Sequence, residues 1–154
     1  MADCAQAIQS IGSYEFVISG DVKTEAEFDA NVKWVSGADS NGTAIFGSKP
    51  TAVTWTKVKA DMDKQDAFVN QKAINETAQA YLNSTDWYSI REAEGGTAVP
   101  GATTTWRAAV RTKANAMCTA IDGAANVDAL AALYVYNDDS PPVRPLGDFP
   151  VLGA

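Results

Sequence analysis

Thr85-Asp86-Trp87-Tyr88-Ser89-Ile90-Arg91-Glu92-Ala93-Glu94-Gly95-Gly96-Thr97-Ala98-Val99-Pro100-Gly101 decides how the second half of this chain folds. Ser84-Thr85-Asp86 supplies N-cap chemistry, since a side-chain oxygen there can accept from the free N–H groups of a first helical turn. Gly95-Gly96 supplies the stop, because glycine tolerates the left-handed conformation that ends helices. A helix is therefore predicted over Asp86–Glu94. The turn through Pro100 reverses the chain into a second helix from about Thr103 to Ile121, with Trp106, Val110, Met117 and Ile121 inward and Gly123 at its end. Residues 85–111 thus read as a helical hairpin. Trp87, Ile90 and Glu94 share one face of its first helix, and Trp87 is either a core anchor or an interface anchor. Tyr88 and Arg91 share the neighbouring face, where a guanidinium can lie on a phenol ring. Arg107 returns toward the first helix, and Glu94 is expected to pair with Arg107 or Arg111.

Upstream, the longest periodic stretch runs from about Thr56 to Leu82. Val58, Met62, Val69, Ala73 and Tyr81 approximate one stripe, which Gln65 interrupts. A helix of that size is about 38 Å long. That is more than a compact small domain spans, so it is expected to be kinked or shared with a partner. Pro50 separates it from a region of a different kind. Tyr14-Glu15-Phe16-Val17-Ile18-Ser19 is rich in aromatic and β-branched residues and reads as a strand, with Tyr14, Phe16 and Ile18 on one face. Lys33-Trp34-Val35-Ser36 and Thr43-Ala44-Ile45-Phe46 flank an Asp/Asn/Gly cluster and read as a hairpin. Asp3–Ser10 reads as one or two helical turns. Thr24-Glu25-Ala26-Glu27 is a capping box opening a short helix that buries Phe28 and Val32.

Downstream, Val127–Leu133 forms a last short helix. After Tyr136 the composition changes to Asn137-Asp138-Asp139-Ser140-Pro141-Pro142, then Pro145, Gly147 and Pro150, with no periodic core face. Such a tail is expected to be disordered in a free monomer unless another subunit holds it. Pro141, Pro142, Val143, Arg144 and Phe149 are the candidate contact residues. The expected fold class is α+β and mainly helical: a small three-stranded antiparallel sheet, a long helix, a helical hairpin and an extended Pro-rich tail. The expected divisions are a small α+β region at 1–52, a helical region at 53–136 and the tail at 137–154.

The chain has 154 residues, 19 acids against 12 bases and a net charge of −7. That balance, without a basic cluster, disfavours a phosphate-backbone partner and so a nucleic acid. No apolar run reaches the roughly 18–20 residues of a membrane helix. Met1-Ala2-Asp3-Cys4-Ala5-Gln6-Ala7 lacks a basic n-region, so a chain made in a cytoplasm without a signal peptide is expected. There is no histidine, which removes Ser-His-Asp and Cys-His catalysis and the usual zinc sites. No phosphate-cradling glycine motif is present. Asp39-Ser40-Asn41-Gly42 could start a calcium loop, but Pro50 stands at its twelfth position, where an acidic ligand belongs. Asp61, Asp63 and Asp66 are interleaved with Lys57, Lys59 and Lys64, which reads as a salt-bridged solvated face. Cys4 and Cys118 read as two reduced, largely buried thiols. No cofactor, metal or catalytic residue is expected, and the chain is read as non-enzymatic.

The spacing D-W-Y-x-I-R-x-x-E-x-G-x-x-V-P-x6-R-x-x-V-R, carried here by Asp86, Trp87, Tyr88, Ile90, Arg91, Glu94, Gly96, Val99, Pro100, Arg107, Val110 and Arg111, resembles a module of tailed-bacteriophage tail-fibre assembly proteins, the tail assembly chaperones. The module also occurs at the C-termini of some phage tail proteins. Gly95 departs from it, standing where the relatives more often carry a polar residue. Residues 14–60, with Y-E-F-x-I-x-G-D, T-E-x-E-F and G-x-D-x-N-G-T-A-I, are similar to small proteins of marine and cyanobacterial phages. The resemblance implies a non-catalytic virion component of the tail or its fibres, made in the host cytoplasm, with other virion subunits as partners and self-association into a homo-oligomer. A fibre-assembly chaperone absent from the mature particle is the alternative, and a capsid decoration protein a further one. The hairpin motif residues are then the candidate interface.

Overall fold

A computed structural model describes residues 2–153. The elements run α1 (Cys4–Ile11), β1 (Phe16–Ile18), α2 (Glu25–Asn31), β2 (Val32–Ala38), β3 (Ala44–Gly47), α3 (Trp55–Asn83), α4 (Asp86–Ala93), α5 (Gly101–Asp122) and α6 (Val127–Ala132). The fold class is α+β with an N-terminal three-stranded antiparallel sheet, as expected. The chain forms two compact units, Met1–Asp66 and Ala67–Ala154, and α3 runs from one into the other.

In the first unit the strands lie in the order β1-β2-β3. Phe16 pairs with Trp34 and Ile18 with Val32, while Val35 pairs with Phe46. A bulge follows at Val35/Gly37, and there Ser36 packs against Gly47, whose missing side chain would otherwise sit 2.9 Å from the Ser36 Cβ. β1 is shorter than its aromatic run suggested, but Tyr14, Phe16 and Ile18 do turn to one side, against Trp34 and its core. The Trp34 ring meets Tyr14 at 6.2 Å, Phe16 at 5.8 Å and Phe28 at 6.2 Å between centroids, and Phe28 meets Trp55 at 5.6 Å. Cys4, Ala7 and Ile8 of α1 and Val53 and Val58 complete this core.

Local chemistry fixes the ends of these elements. The Asp3 carboxylate caps α1, and the Thr24/Glu27 capping box starts α2 with both reciprocal bonds formed. Helix α2 stops at Asn31, one residue early, because Val32 is already extended and opens β2. In the loop between β2 and β3, Asp39 Oδ1 accepts from the backbone N–H of Asn41 and of Thr43, so its carboxylate serves its own turn. Gly42 takes φ +82°, a position that favours glycine. Gln65 does not break α3. Its side-chain oxygen accepts from Asp3 N–H at 2.8 Å and its amide donates to Asp61, tying the start of α1 to this helix.

The stripe predicted along α3 holds only in its first half. Val58 is buried and Met62 packs on the same core, but Val69 and Ala73 face solvent and Tyr81 is half-exposed. Ile74, Ala78 and Leu82 are the buried residues of the second half. The two halves serve separate cores, and each core selects its own face.

In the second unit α3 and α5 run antiparallel. Gln71 donates to the Cys118 carbonyl, and Leu82 faces Arg107, so each step down α3 matches a step up α5. Trp106, Val110, Met117 and Ile121 are buried as expected, joined by Thr103 and Ala114. Among the described residues the segment after Tyr136 has neither helix nor strand, yet its own chain anchors it. Leu146 is 2% exposed and enters the core, and its N–H donates to the Leu133 carbonyl. Phe149 packs on Tyr81 at 5.4 Å, and the Trp106 indole N–H donates to the Pro150 carbonyl at 2.8 Å. A buried tryptophan needs such an acceptor, and two isolated apolar side chains fill a core without any period.

Candidate functional site: the α4 hairpin and its aromatic face

The end of α3, the start of α4 and the first turns of α5 meet at one side chain. Arg107 Nη1 donates to the Leu82 carbonyl at 2.8 Å and to Thr85 Oγ1 at 2.6 Å, and Nη2 donates to Asp86 Oδ1 at 2.7 Å. The guanidinium therefore sits at the negative end of α3, while Asp86 lies in the first turn of α4, where a carboxylate is favoured. Thr85 is buried and donates its hydroxyl to the Leu82 carbonyl. It makes no side-chain cap on α4, contrary to its reading as N-cap chemistry. Arg107 returns toward the first helix as expected, but its ion-pair partner is Asp86 and not Glu94. Glu94 and Arg111 are both exposed and form no ion pair among the described residues. Glu94 lies at the helix end, too far along α4 to reach a guanidinium already held at its start.

The far end of α4 closes on glycine. Gly95 takes φ +82°, Gly95 N–H donates to the Glu92 carbonyl and Gly96 N–H to the Arg91 carbonyl. That pair of bonds is the Schellman arrangement, and it explains why a glycine stands at 95. A side chain at Gly96 would meet the Arg91 carbonyl at 2.8 Å, so both glycines are required. Pro100 precedes the first turn of α5 and accepts from Thr104 N–H.

Between these two fixed ends, α4 buries nothing. Trp87 is 50% exposed and Ile90 59%, so Trp87 is not a core anchor. The Trp87 and Tyr88 rings stack at 3.8 Å and 26°, and the Arg91 Cζ lies 4.9 Å from one centroid and 5.1 Å from the other. Arg91 is itself pinned, Nε to the Thr97 carbonyl at 3.1 Å and Nη2 to the Ala98 carbonyl at 3.4 Å. The result is an aromatic and cationic surface with little freedom left to lose. Glu92 and Glu94 are exposed beside it.

The tail residues divide. Pro141, Pro142 and Val143 lie at the surface, whereas Phe149 faces inward and Arg144 pairs with Asp148 at 2.7 Å while lying over the Tyr134 and Tyr136 rings. The Tyr136 hydroxyl donates to the same carboxylate, a bond that holds its phenol above the usual range. The Leu82 carbonyl belongs to this site and was missed from sequence, since a backbone acceptor leaves no periodic signal, and Thr85 serves it as a buried hydroxyl instead of as a cap.

Neither cysteine is activated. Burial pushes the Cys4 thiol up, with Asp3 adding to it, and burial raises Cys118, whose Sγ lies 3.7 Å from Asn75 Oδ1. Among the described residues no three His, Cys, Asp or Glu side chains converge on a common point, and no helix is long and apolar enough to cross a membrane. The acidic face of α3 is salt-bridged in part, Lys59 to Asp63 at 2.7 Å. No family model, curated protein or solved structure matches the chain.

Proposed function

We propose that this chain is a non-enzymatic structural protein of a tailed bacteriophage, a small virion component of the tail or its fibres that docks onto other virion subunits through the outer face of α4. The observation that carries the reading is the stacked Trp87–Tyr88 pair with Arg91 across it, exposed on a helix clamped at both ends. Tryptophan, tyrosine and arginine dominate the energetics of protein interfaces, and a preordered cluster binds without further ordering cost. The cluster lies within the segment that resembles the tail assembly module, and that resemblance supplies the phage context. Exposed Glu92 and Glu94 favour a docking partner with a basic rim around an apolar slot.

The test is peptide mass spectrometry of purified virions from the source phage, scaled to a known tail subunit. Stoichiometric presence, in a ratio set by tail symmetry, supports the reading. Absence from virions with abundance in the infected-cell lysate overturns it in favour of an assembly chaperone.

A further inference from the structure

The order β1-β2-β3 makes β3 an outer strand, and among the described residues no strand lies along its far side. Strand alternation decides which backbone groups point there. The Thr43 carbonyl accepts from Asp39 N–H at 2.9 Å and the Ile45 carbonyl from Ser36 Oγ at 3.1 Å, so Thr43 and Ile45 turn toward β2. Ala44 and Phe46 therefore turn their N–H and C=O groups outward. Edge strands are normally guarded by lysine, proline or an inward charge. Thr43-Ala44-Ile45-Phe46-Gly47-Ser48 has none of these, and Ile45 and Phe46 are 49% and 56% exposed.

We infer that β3 pairs antiparallel with β3 of a second copy of this chain, about a two-fold axis at Ile45. In that register Ala44 of each copy lies opposite Phe46 of the other, and these outward-facing residues exchange their backbone hydrogen bonds. The opposite charges that flank the strand, Asp39 before it and Lys49 after it, favour a second copy as occupant. The chain carries −7, so most of its surface repels its own kind. The segment 43–48 is uncharged, and self-pairing there opposes no like charges. The flanking charges are of opposite sign, and antiparallel pairing brings the Asp39 end of one copy toward the Lys49 end of the other. The contact is isologous, so it closes as a dimer and does not propagate. A four-residue edge falls well below the roughly 800 Å² per partner of a standard interface, so the dimer is weak. The inference concerns the first unit alone and holds whether or not the chain belongs to a phage tail.

The test is sedimentation of the full recombinant chain over a wide concentration range, together with oxidative cross-linking of Ile45→Cys and Phe46→Cys. A weight-average mass that climbs toward twice the monomer, and that stays at the monomer in Phe46→Lys, is the expected result. Cysteines at position 45 of two copies would face each other at roughly 4.5–5.5 Å between Cβ atoms, so Ile45→Cys should form a disulfide dimer about tenfold faster than Phe46→Cys. Wild type, with Cys4 and Cys118 alone, is the blank. Equal cross-linking rates overturn the inference. So does a mass that is monomeric throughout, or an association that survives Phe46→Lys and vanishes in Trp87→Ala. Circular dichroism checks that Phe46→Lys is folded, and if it is not, the cross-linking comparison decides alone.

Discussion

Arg107 holds Asp86 at 2.7 Å across 21 residues of chain, and the same guanidinium reaches back to the Leu82 carbonyl in the last turn of α3. One side chain of α5 thereby fixes two helix ends, the last turn of α3 and the first of α4. Its own side chain is 12% exposed and that of Asp86 is 45%, so the two partners should differ sharply in worth. Arg107→Ala removes charge-assisted bonds to the buried Thr85 hydroxyl and the Leu82 carbonyl, and should cost about 2–3 kcal/mol. Asp86→Asn removes only the more exposed contact and should cost less than about 1 kcal/mol. Arg107→Lys should recover less than half of the loss, because an ammonium cannot reproduce the fork that meets all three acceptors. Urea unfolding of the three variants checks the order.

Trp87 and Trp106 lie in the same unit and should respond in opposite ways to truncation. Trp106 is buried, and its N–H is bonded to Pro150. Trp106→Ala should cost about 3–5 kcal/mol and loosen the C-terminal segment with it. Trp87 is half-exposed and loses mainly its contacts with Tyr88 and Arg91, so Trp87→Ala should cost about 1 kcal/mol or less. Thermal unfolding separates the two, and a Trp87→Ala chain that unfolds like Trp106→Ala would return Trp87 to the core.

The contrast shows where the sequence was legible. Trp106, Val110, Met117 and Ile121 lie on one side of a long helix facing a single core, and their spacing identified them correctly. Trp87, Tyr88 and Ile90 put three large side chains into four positions of a short helix, which leaves no period from which to choose an inward face. On α3 the difficulty was different. Val58 and Met62 follow one core and Ile74, Ala78 and Leu82 another, so a single stripe extended to Val69 and Ala73 landed on solvent. Gln71 hides the second face further, being a polar residue spent on the Cys118 carbonyl. Strands and turns are local signals and were read to within two residues at each end, whereas of the caps read from sequence the Thr24/Glu27 box formed and the Thr85 cap did not. The anchoring of the tail on its own core was not legible because Leu146 and Phe149 are anchors without a pattern.

Leu146 makes that last point measurable. It is 2% exposed within a segment that has no regular structure, and it joins a core built from α3, α5 and α6. Leu146→Ala should cost about 2–4 kcal/mol, a value ordinarily found inside helices and sheets. Val151→Ala, at an exposed position a few residues on, should change stability by no more than about 0.5 kcal/mol. A freely disordered tail would give no effect at either position, so denaturant midpoints for the two variants distinguish a bound segment from a loose one.

The capping box of α2 gives the chain an acid-sensitive element. Glu27 Oε2 accepts from the backbone N–H of Lys23 at 2.8 Å and of Thr24 at 3.0 Å, while Thr24 Oγ1 accepts from Glu27 N–H. The Lys23 backbone bond, foremost, holds the Glu27 carboxyl below its ordinary 4.5. A carboxylate whose folded value is lowered contributes stability above the unfolded value and loses it as pH falls through the folded one. The Glu27 contribution is therefore complete at neutral pH and fades below 4.5. Thr24→Ala should cost about 1 kcal/mol through the lost cap, with little dependence on pH of its own. Glu27→Gln keeps the neutral acceptor but not the charge, so its deficit against wild type should be largest at neutral pH and shrink toward nothing as the solution is acidified. Paired unfolding curves measured from neutral to acidic pH test this, and a deficit that stays constant would show that the charge of Glu27 is not what stabilises α2.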